Sequence, residues 1–392
     1  MKGCGGVCFV FDDFHPVFSG HSIYMQQIMR HLQARGRRMS VICWHDGRYP
    51  EREEYQGITI RRIKGSYYQP GGVRSLLRAL WQERAGFDCL HINGFPDPYG
   101  LMISLCRLLG KRLVLQSTLY GSDDGHAYQR HHRGGAIRVR QLALVHAITC
   151  ISRPLIRTFE DIGFPGHKLV YIPQGVALDR FVPVTAERKA QLRRRLDIPP
   201  EAPVALFVGT ILRRKGVDWL LKAWIEVQQA LPGAHLVLVG MHEFDRTHGS
   251  REELNAFSAE MRGIVQEHDL RVRFAGLQED IAPWYQAADL FILPSRKEGF
   301  GNVIIEAMAC GLPLVVTPMD GVALETVEEG RNGFIVDDVA GLADRMTALL
   351  ADPSAAAAMG AAGLEMARRK FDMEVIAEQY DRLYFGDGAP LS

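Results

Sequence analysis

The 392 residues are 23% charged and 47% hydrophobic, with 46 Lys and Arg against 45 Asp and Glu, the balance of a soluble globular chain long enough for two domains. The seven cysteines (Cys4, Cys8, Cys43, Cys89, Cys106, Cys150 and Cys310) form no CxxC pair, which argues against a zinc site or a disulfide framework and for a reducing compartment. No basic segment leads into a long apolar run, and no stretch of about 18 apolar residues occurs, so neither a signal peptide nor a membrane-spanning helix is expected and a cytoplasmic location is.

In chain order, short apolar runs alternate with amphipathic stretches. Val7–Phe11, Met39–Trp44, Cys89–Ile92, Leu113–Gln116 and Ala147–Ile151 read as buried strands, and Ser22–Ala34, Val73–Glu83, Pro98–Leu109 and Arg153–Asp161 as helices between them. The Pro-rich segment Pro173–Pro203, carrying the charged helix Glu187–Leu196, reads as a join. Beyond it the strands are Val204–Val208, His235–Val239, Val272–Ala275, Leu290–Leu293, Leu314–Val316 and Phe334–Val336, separated by helices such as Val217–Gln229, Arg251–Gln266 and Asn302–Ala309. An alanine-rich helix, Ser354–Lys370, and a last amphipathic helix near Met373–Tyr384 close the pattern. Alternation of nearly continuous apolar strands with helices predicts parallel sheets covered on both faces, and its occurrence twice predicts an α/β chain of two doubly wound, Rossmann-like domains. Gly3-Cys4-Gly5-Gly6 precedes the first strand and GxGxxG is absent, so the dinucleotide-binding motif lacks its context.

The segment from Leu290 to Pro313 carries the most chemistry. A buried strand ends at Pro294, a loop holds Gly299 and Gly301, and a helix begins near Asn302, where free amides of Asn302, Val303 and Ile304 favour phosphate. Glu298 and Glu306 bracket that turn. A second cluster, Gly209-Thr210 followed by Arg213-Arg214-Lys215-Gly216, again follows an apolar strand and supplies cations suited to clamping a diphosphate. Phe11–Ser22 is a third strand-to-helix loop, in which Gly20 permits close backbone approach to a ligand. An acidic residue near a helix start, a solvated basic loop and an ordinary strand-to-helix turn are the bland readings of these three features taken singly.

Taken together, Val208-Gly209…Lys215-Gly216 and Pro294-Ser295…Glu298-Gly-Phe-Gly…Glu306-Ala-Met-Ala-x-Gly-x-Pro313 resemble the retaining glycosyltransferases of family 4. Ile172–Val176 with Asp179–Phe181, Phe274-Ala-Gly276 and Glu329–Phe334 agree, and the resemblance runs over most of residues 7–350. It implies the GT-B fold, two such domains facing a cleft: residues 1–175 on the acceptor side, 176–370 binding the nucleotide sugar, and 371–392 as a helix crossing back to the first domain. It also implies roles. Glu306 binds the ribose hydroxyls and Glu298 lies near the donor sugar. Amides from Phe300 through Gly301, Asn302, Val303 and Ile304 hold phosphate and sugar, with Gly209 beside them. Lys215 with Arg214 neutralises the leaving diphosphate, and Gly20 approaches the diphosphate from the other domain.

The chain departs from the family in two places. Gly209-Thr210 stands where Gly-Arg is frequent, leaving Arg213 or Arg214 as candidates to replace the cation. Gln116–Asp124 lacks the usual histidine after the fifth N-terminal strand and offers Thr118, Tyr120 and Asp123 as sugar or acceptor contacts. The implied reaction is transfer of a hexose from a nucleoside-diphosphate sugar to a saccharide or lipid-linked acceptor, with retention and without a cofactor or bound metal. A uridine donor is favoured over a guanosine donor on family breadth. A nucleotide-sugar epimerase of the same architecture and a non-catalytic partner protein are the alternatives, the second fed by Thr210 and the absent histidine.

Charge is uneven. Residues 1–175 carry a balance of +10 and the remainder −9. An anionic membrane surface, or a phosphorylated acceptor, is the partner this predicts for the first half, and dispersed basic residues without a recognised motif argue against nucleic acid.

Overall fold

The computed structural model describes residues 5–16, 20–44, 47–66, 69–94, 99–131, 135–242, 251–319 and 322–386. Backbone contacts divide the chain into two compact units, Met1–Gln174 with Met373–Ser392, and Gly175–Asp372.

The first unit holds strands β1 (Gly6–Phe11), β2 (Arg38–Trp44), β3 (Arg52–Tyr55), β4 (Ile58–Ile63), β5 (Cys89–Asn93), β6 (Arg112–Ser117), β7 (Ala147–Cys150) and β8 (Leu169–Tyr171). They form one sheet in the order β3-β4-β2-β1-β5-β6-β7-β8. All six residues of β1 are buried, as a central parallel strand covered on both faces requires. The sequence reading left out β3 and β4, an antiparallel pair. They meet through Gln56 and Gly57, both at positive φ (52° and 73°), the geometry of a two-residue hairpin. Their Arg and Glu residues mask the apolar alternation, and such charges suit a sheet edge.

The core of this unit draws on both ends of the chain. Helix Gly20–Ala34 contributes Tyr24, Met25, Ile28, Met29 and Leu32, and helix Met373–Phe385 contributes Met373, Ile376, Ala377, Tyr380 and Tyr384. The second set recurs at the three- and four-residue spacing of one helix face. Each large apolar side chain so buried is worth about 1.5–3 kcal/mol. Polar ties fix the register of the last helix: Arg37 pairs with Asp381 at 2.7 and 3.0 Å, and Gln116 Nε2 donates to Tyr380 Oη at 2.8 Å. Buried His91 lies between Gln116 Oε1, 3.1 Å from Nε2, and Tyr384 Oη, 2.7 Å from Nδ1.

The second unit holds β9 (Val204–Val208), β10 (His235–Val239), β11 (Val272–Gly276), β12 (Leu290–Leu293), β13 (Leu314–Val316) and β14 (Gly333–Ile335), all parallel, in the order β11-β10-β9-β12-β13-β14. Every residue of β9 and β12 is buried. In a doubly wound sheet the crevice for a ligand opens at the carboxyl ends of the strands where the order reverses. Those strands are β1 and β5 in the first unit, β9 and β12 in the second. Among the described residues no helix is long and apolar enough to cross a membrane.

Candidate active site

Strands β9 and β12 are paired neighbours, so the loops that leave them emerge side by side. After β9 the chain passes Gly209 and Thr210 and makes a single 3₁₀ turn, Arg213–Lys215. Gly216, at φ 72°, then starts helix Val217–Ala230. A methyl group on Gly216 would stand 1.8 Å from the Pro294 carbonyl oxygen, so only glycine lets the two loops come this close. Hydrogen bonds lock them. The Arg296 amide donates to Arg214 O at 2.8 Å, and Ser295 Oγ donates to Arg214 O at 3.2 Å. The Arg296 guanidinium grips Asp218 through both oxygens at 3.0 and 2.8 Å.

The clamp brings three expected residues together. Lys215 Nζ lies 2.6 Å from Glu298 Oε1, and Arg214 Nη1 lies 3.5 Å from the same oxygen. Glu298 is buried, and its side chain is only 9% exposed against 44% for Arg214. A carboxylate this enclosed requires cationic or hydrogen-bonding partners. Arg213 turns elsewhere: it pairs with Glu260 at 3.2 Å and stacks on Phe257. Of the two candidates to stand in for the cation absent at Thr210, Arg214 is the one beside Glu298.

After Phe300, whose ring is buried edge-on to Phe371, Gly301 takes φ 83° and opens helix Asn302–Ala309. The Ile304 amide, expected to be free for phosphate, donates to Gly301 O at 2.8 Å. The first turn tightens and uses that donor, so the free amides are those of Asn302 and Val303. The helix buries Ile304, Ile305, Ala307, Met308 and Ala309 and leaves Asn302, Val303 and Glu306 half-buried on one face. Burial pushes the Glu306 carboxyl up from 4.5 to about 7, against the opposing pull of a hydrogen bond from Tyr285 and the charge of Arg180. Gly209 sits where a Cβ would be 3.7 Å from the Lys215 stem.

In the first unit Gly20 opens its helix, and the three residues before it lie outside those described. The Asp123 carboxylate is taken up by its own loop: it accepts from Thr118 N, from Thr118 Oγ1 at 2.7 Å and from Leu119 N at 2.6 Å. Burial raises its pKa. Asp123 and Thr118 therefore spend their polar atoms on the turn, and Tyr120 is half-buried beside them. The sequence reading missed His21 and Asn93. Among the described residues, buried His21 Nε2 and Asn93 Oδ1 have no hydrogen-bond partner. His21 stands in the first turn of the helix after β1 and Asn93 ends β5, at the reversal point of this sheet, and that rule is the signal by which they could have been found.

A cavity of about 550 Å³ lies at the opposite, amino-terminal ends of β9, β12 and β13, between Pro203, Asp289 and Pro313. Its charged groups satisfy one another, since Lys189 and Arg193 each reach Asp289 at 2.6 Å. Among the described residues that line it, no free cation matches a diphosphate.

Residues 18–180 match the model of Glycosyltransferase Family 4, and residues 202–352 that of Glycosyl transferases group 1. A Mycobacterium tuberculosis protein named GDP-mannose-dependent alpha-(1-6)-phosphatidylinositol monomannoside mannosyltransferase is 32% identical over 98% of this chain and 99% of its own. A Corynebacterium glutamicum GDP-mannose-dependent monoacylated alpha-(1-6)-phosphatidylinositol monomannoside mannosyltransferase is 31% identical over 73% of each chain. The solved structure of sucrose-phosphate synthase from Thermosynechococcus elongatus superposes with a TM-score of 0.76 at 24% identity, over 97% of this chain and 98% of that one. The relatives' names do not support the expected preference for uridine. With both sheets and both family models accounted for, the chain belongs to glycosyltransferase family 4 and has its GT-B fold.

Proposed function

We propose that this glycosyltransferase moves a hexose, mannose in the first instance, from a GDP-sugar to a lipid-linked saccharide with retention of anomeric configuration. The observation that carries the reading is the cluster of Lys215 and Arg214 on Glu298 at the reversal point of the second sheet, next to the free amides of Asn302 and Val303. As the glycosidic bond breaks, negative charge gathers on the departing diphosphate. Fixed cations and amides aimed at that charge stabilise the transition state without a resident metal. The donor diphosphate competes with Glu298 for Lys215, which frees the carboxylate to receive hydroxyls of the donor sugar. Glu306 accepts from the ribose. Guanosine and mannose are supported by the names of these relatives, and the lipid acceptor by the same names and by the +10 balance of residues 1–175. In the first unit, His21 and Asn93 offer an unpaired nitrogen and an unpaired oxygen to acceptor hydroxyls.

The test is incubation with radiolabelled GDP-mannose, UDP-glucose and UDP-N-acetylglucosamine, each with and without bacterial lipid extract and with and without a chelator. Labelled lipid from GDP-mannose alone, unaffected by the chelator and α-configured by NMR, is the expected result. Label entering lipid only from a uridine donor overturns the base assignment. Release of a free sugar without acceptor favours the epimerase reading.

A further inference from the structure

The Glu306 carboxylate has two oxygens, and the fold has already claimed one. Tyr285, on the short helix Ala282–Ala287, donates its hydroxyl to Glu306 Oε2 at 2.7 Å. The Tyr285 ring is fully buried, edge-on to Phe181 and tilted against Phe291, with both centroids at 5.7 Å. A ring wedged between two others delivers its hydroxyl to one point in space. Among the described residues no donor reaches Oε1.

We infer that Tyr285 is a positioning residue for donor binding: its hydroxyl fixes the Glu306 rotamer and holds the carboxylate ionised against an apolar wall, leaving Oε1 to accept the ribose hydroxyls. This rests on Glu306 being the ribose contact. The surroundings explain why the ionised form needs help. Helix Pro353–Lys370 packs on the Glu306 helix, with Gly363 against Met308 and Gly360 against the Gly311 carbonyl that follows it. Strands β12 and β13 are apolar throughout. Cys310, at the end of the same helix, is held neutral by burial. Arg180 is the cation acting on Glu306, and it also pairs with Asp280 at 3.0 Å. Desolvation raises the carboxyl to about 7 and the Tyr285 hydrogen bond opposes it, so losing that hydrogen bond favours the protonated form. A protonated carboxyl loses acceptor capacity, and nucleotide affinity then falls as pH falls through that value.

The test is calorimetric binding of GDP and of UDP, each against its 2′,3′-dideoxy form, at a series of pH values on both sides of neutrality. In the wild-type protein the preference for the ribose form over the dideoxy form, a ratio in which the shared titration of the terminal phosphate cancels, should shrink as pH falls. Tyr285→Phe should weaken the ribose form by roughly tenfold at neutral pH and move the loss to higher pH, with recovery in alkali and with KM raised more than kcat falls. A preference that stays flat with pH in the wild-type protein overturns the inference, even if the variant does not fold. So does a Tyr285→Phe protein with wild-type affinity at every pH while Glu306→Gln has lost the preference. If Glu306→Gln keeps the preference, or no nucleotide binds, the ribose assignment itself has failed.

Discussion

Lys215 and Glu298, 83 residues apart in sequence, meet at 2.6 Å as an enclosed ion pair. Each belongs to a loop that the other helps to hold. In the proposed mechanism the departing diphosphate takes over that cation, so removing it should strike the chemical step. Lys215→Ala is expected to lower kcat by about 10²–10³, with Lys215→Arg intermediate and the fold intact by circular dichroism. Steady-state transfer at the normal rate would send the clamp assignment back to Arg214 or to the first unit.

Gly216 lets the two site loops approach closely. Gly216→Ala would put a methyl on the Pro294 carbonyl at 1.8 Å, in a backbone conformation of φ 72°. Backbone strain and loop displacement together should cost about 2–4 kcal/mol, read as a lower urea midpoint. Donor affinity should fall as well, because the same loop carries Lys215. A wild-type midpoint would mean that the loops yield freely.

Acid should loosen the first unit through its histidines. Burial lowers the His91 pKa from 6.5 to about 3, and that of His21 to about 4. Below about 6.5 the unfolded chain takes up protons that the folded chain refuses, so stability is complete above that value and declines as pH falls toward the folded values. Each histidine adds a slope of about 1.4 kcal/mol per pH unit at most. His91→Gln should remove about one proton from the acid slope of urea stability. An unchanged slope would show that His91 titrates normally in the folded protein.

The basic first half should bind anionic lipid. Leu101 and Leu108 are 54% and 76% exposed on helix Tyr99–Leu108, beside exposed Arg107. Each basic residue near an anionic surface contributes about 1 kcal/mol, and salt screens it. Sedimentation with phosphatidylglycerol vesicles should show binding that weakens with salt and with Leu101→Ser/Leu108→Ser. Equal partitioning onto neutral vesicles would remove this partner.

The site was legible in sequence where chemistry sits within one loop. Gly301, Glu298, Lys215 and Gly216 announce themselves by residue type after an apolar strand. What stayed hidden depends on contacts between distant segments. Tyr285 lies 21 residues from Glu306 and looks like any helix aromatic. The Ile304 amide is spent because the first helical turn tightens, which no residue type encodes. Asp123 reads as a free carboxylate until its loop closes on it. The edge pair β3–β4 escaped because charges interrupt its alternation, whereas β9 and β12, apolar at every position, were found at their observed bounds. Residue types alone give no ranking of Arg213 and Arg214, adjacent in sequence. Glu260 and Glu298 separate them in space.

The first unit is assembled from the two ends of the chain, with roughly 200 residues of the second unit threaded between them. At ordinary synthesis rates that interval lasts roughly 10–40 s. Through it helix Gly20–Ala34 waits on the ribosome without helix Met373–Phe385, which packs against it in the folded unit. The nascent first half thus waits for helix Met373–Phe385, and the synthesis of that helix, rather than passage of the boundary at Gln174, sets the moment at which its core can close.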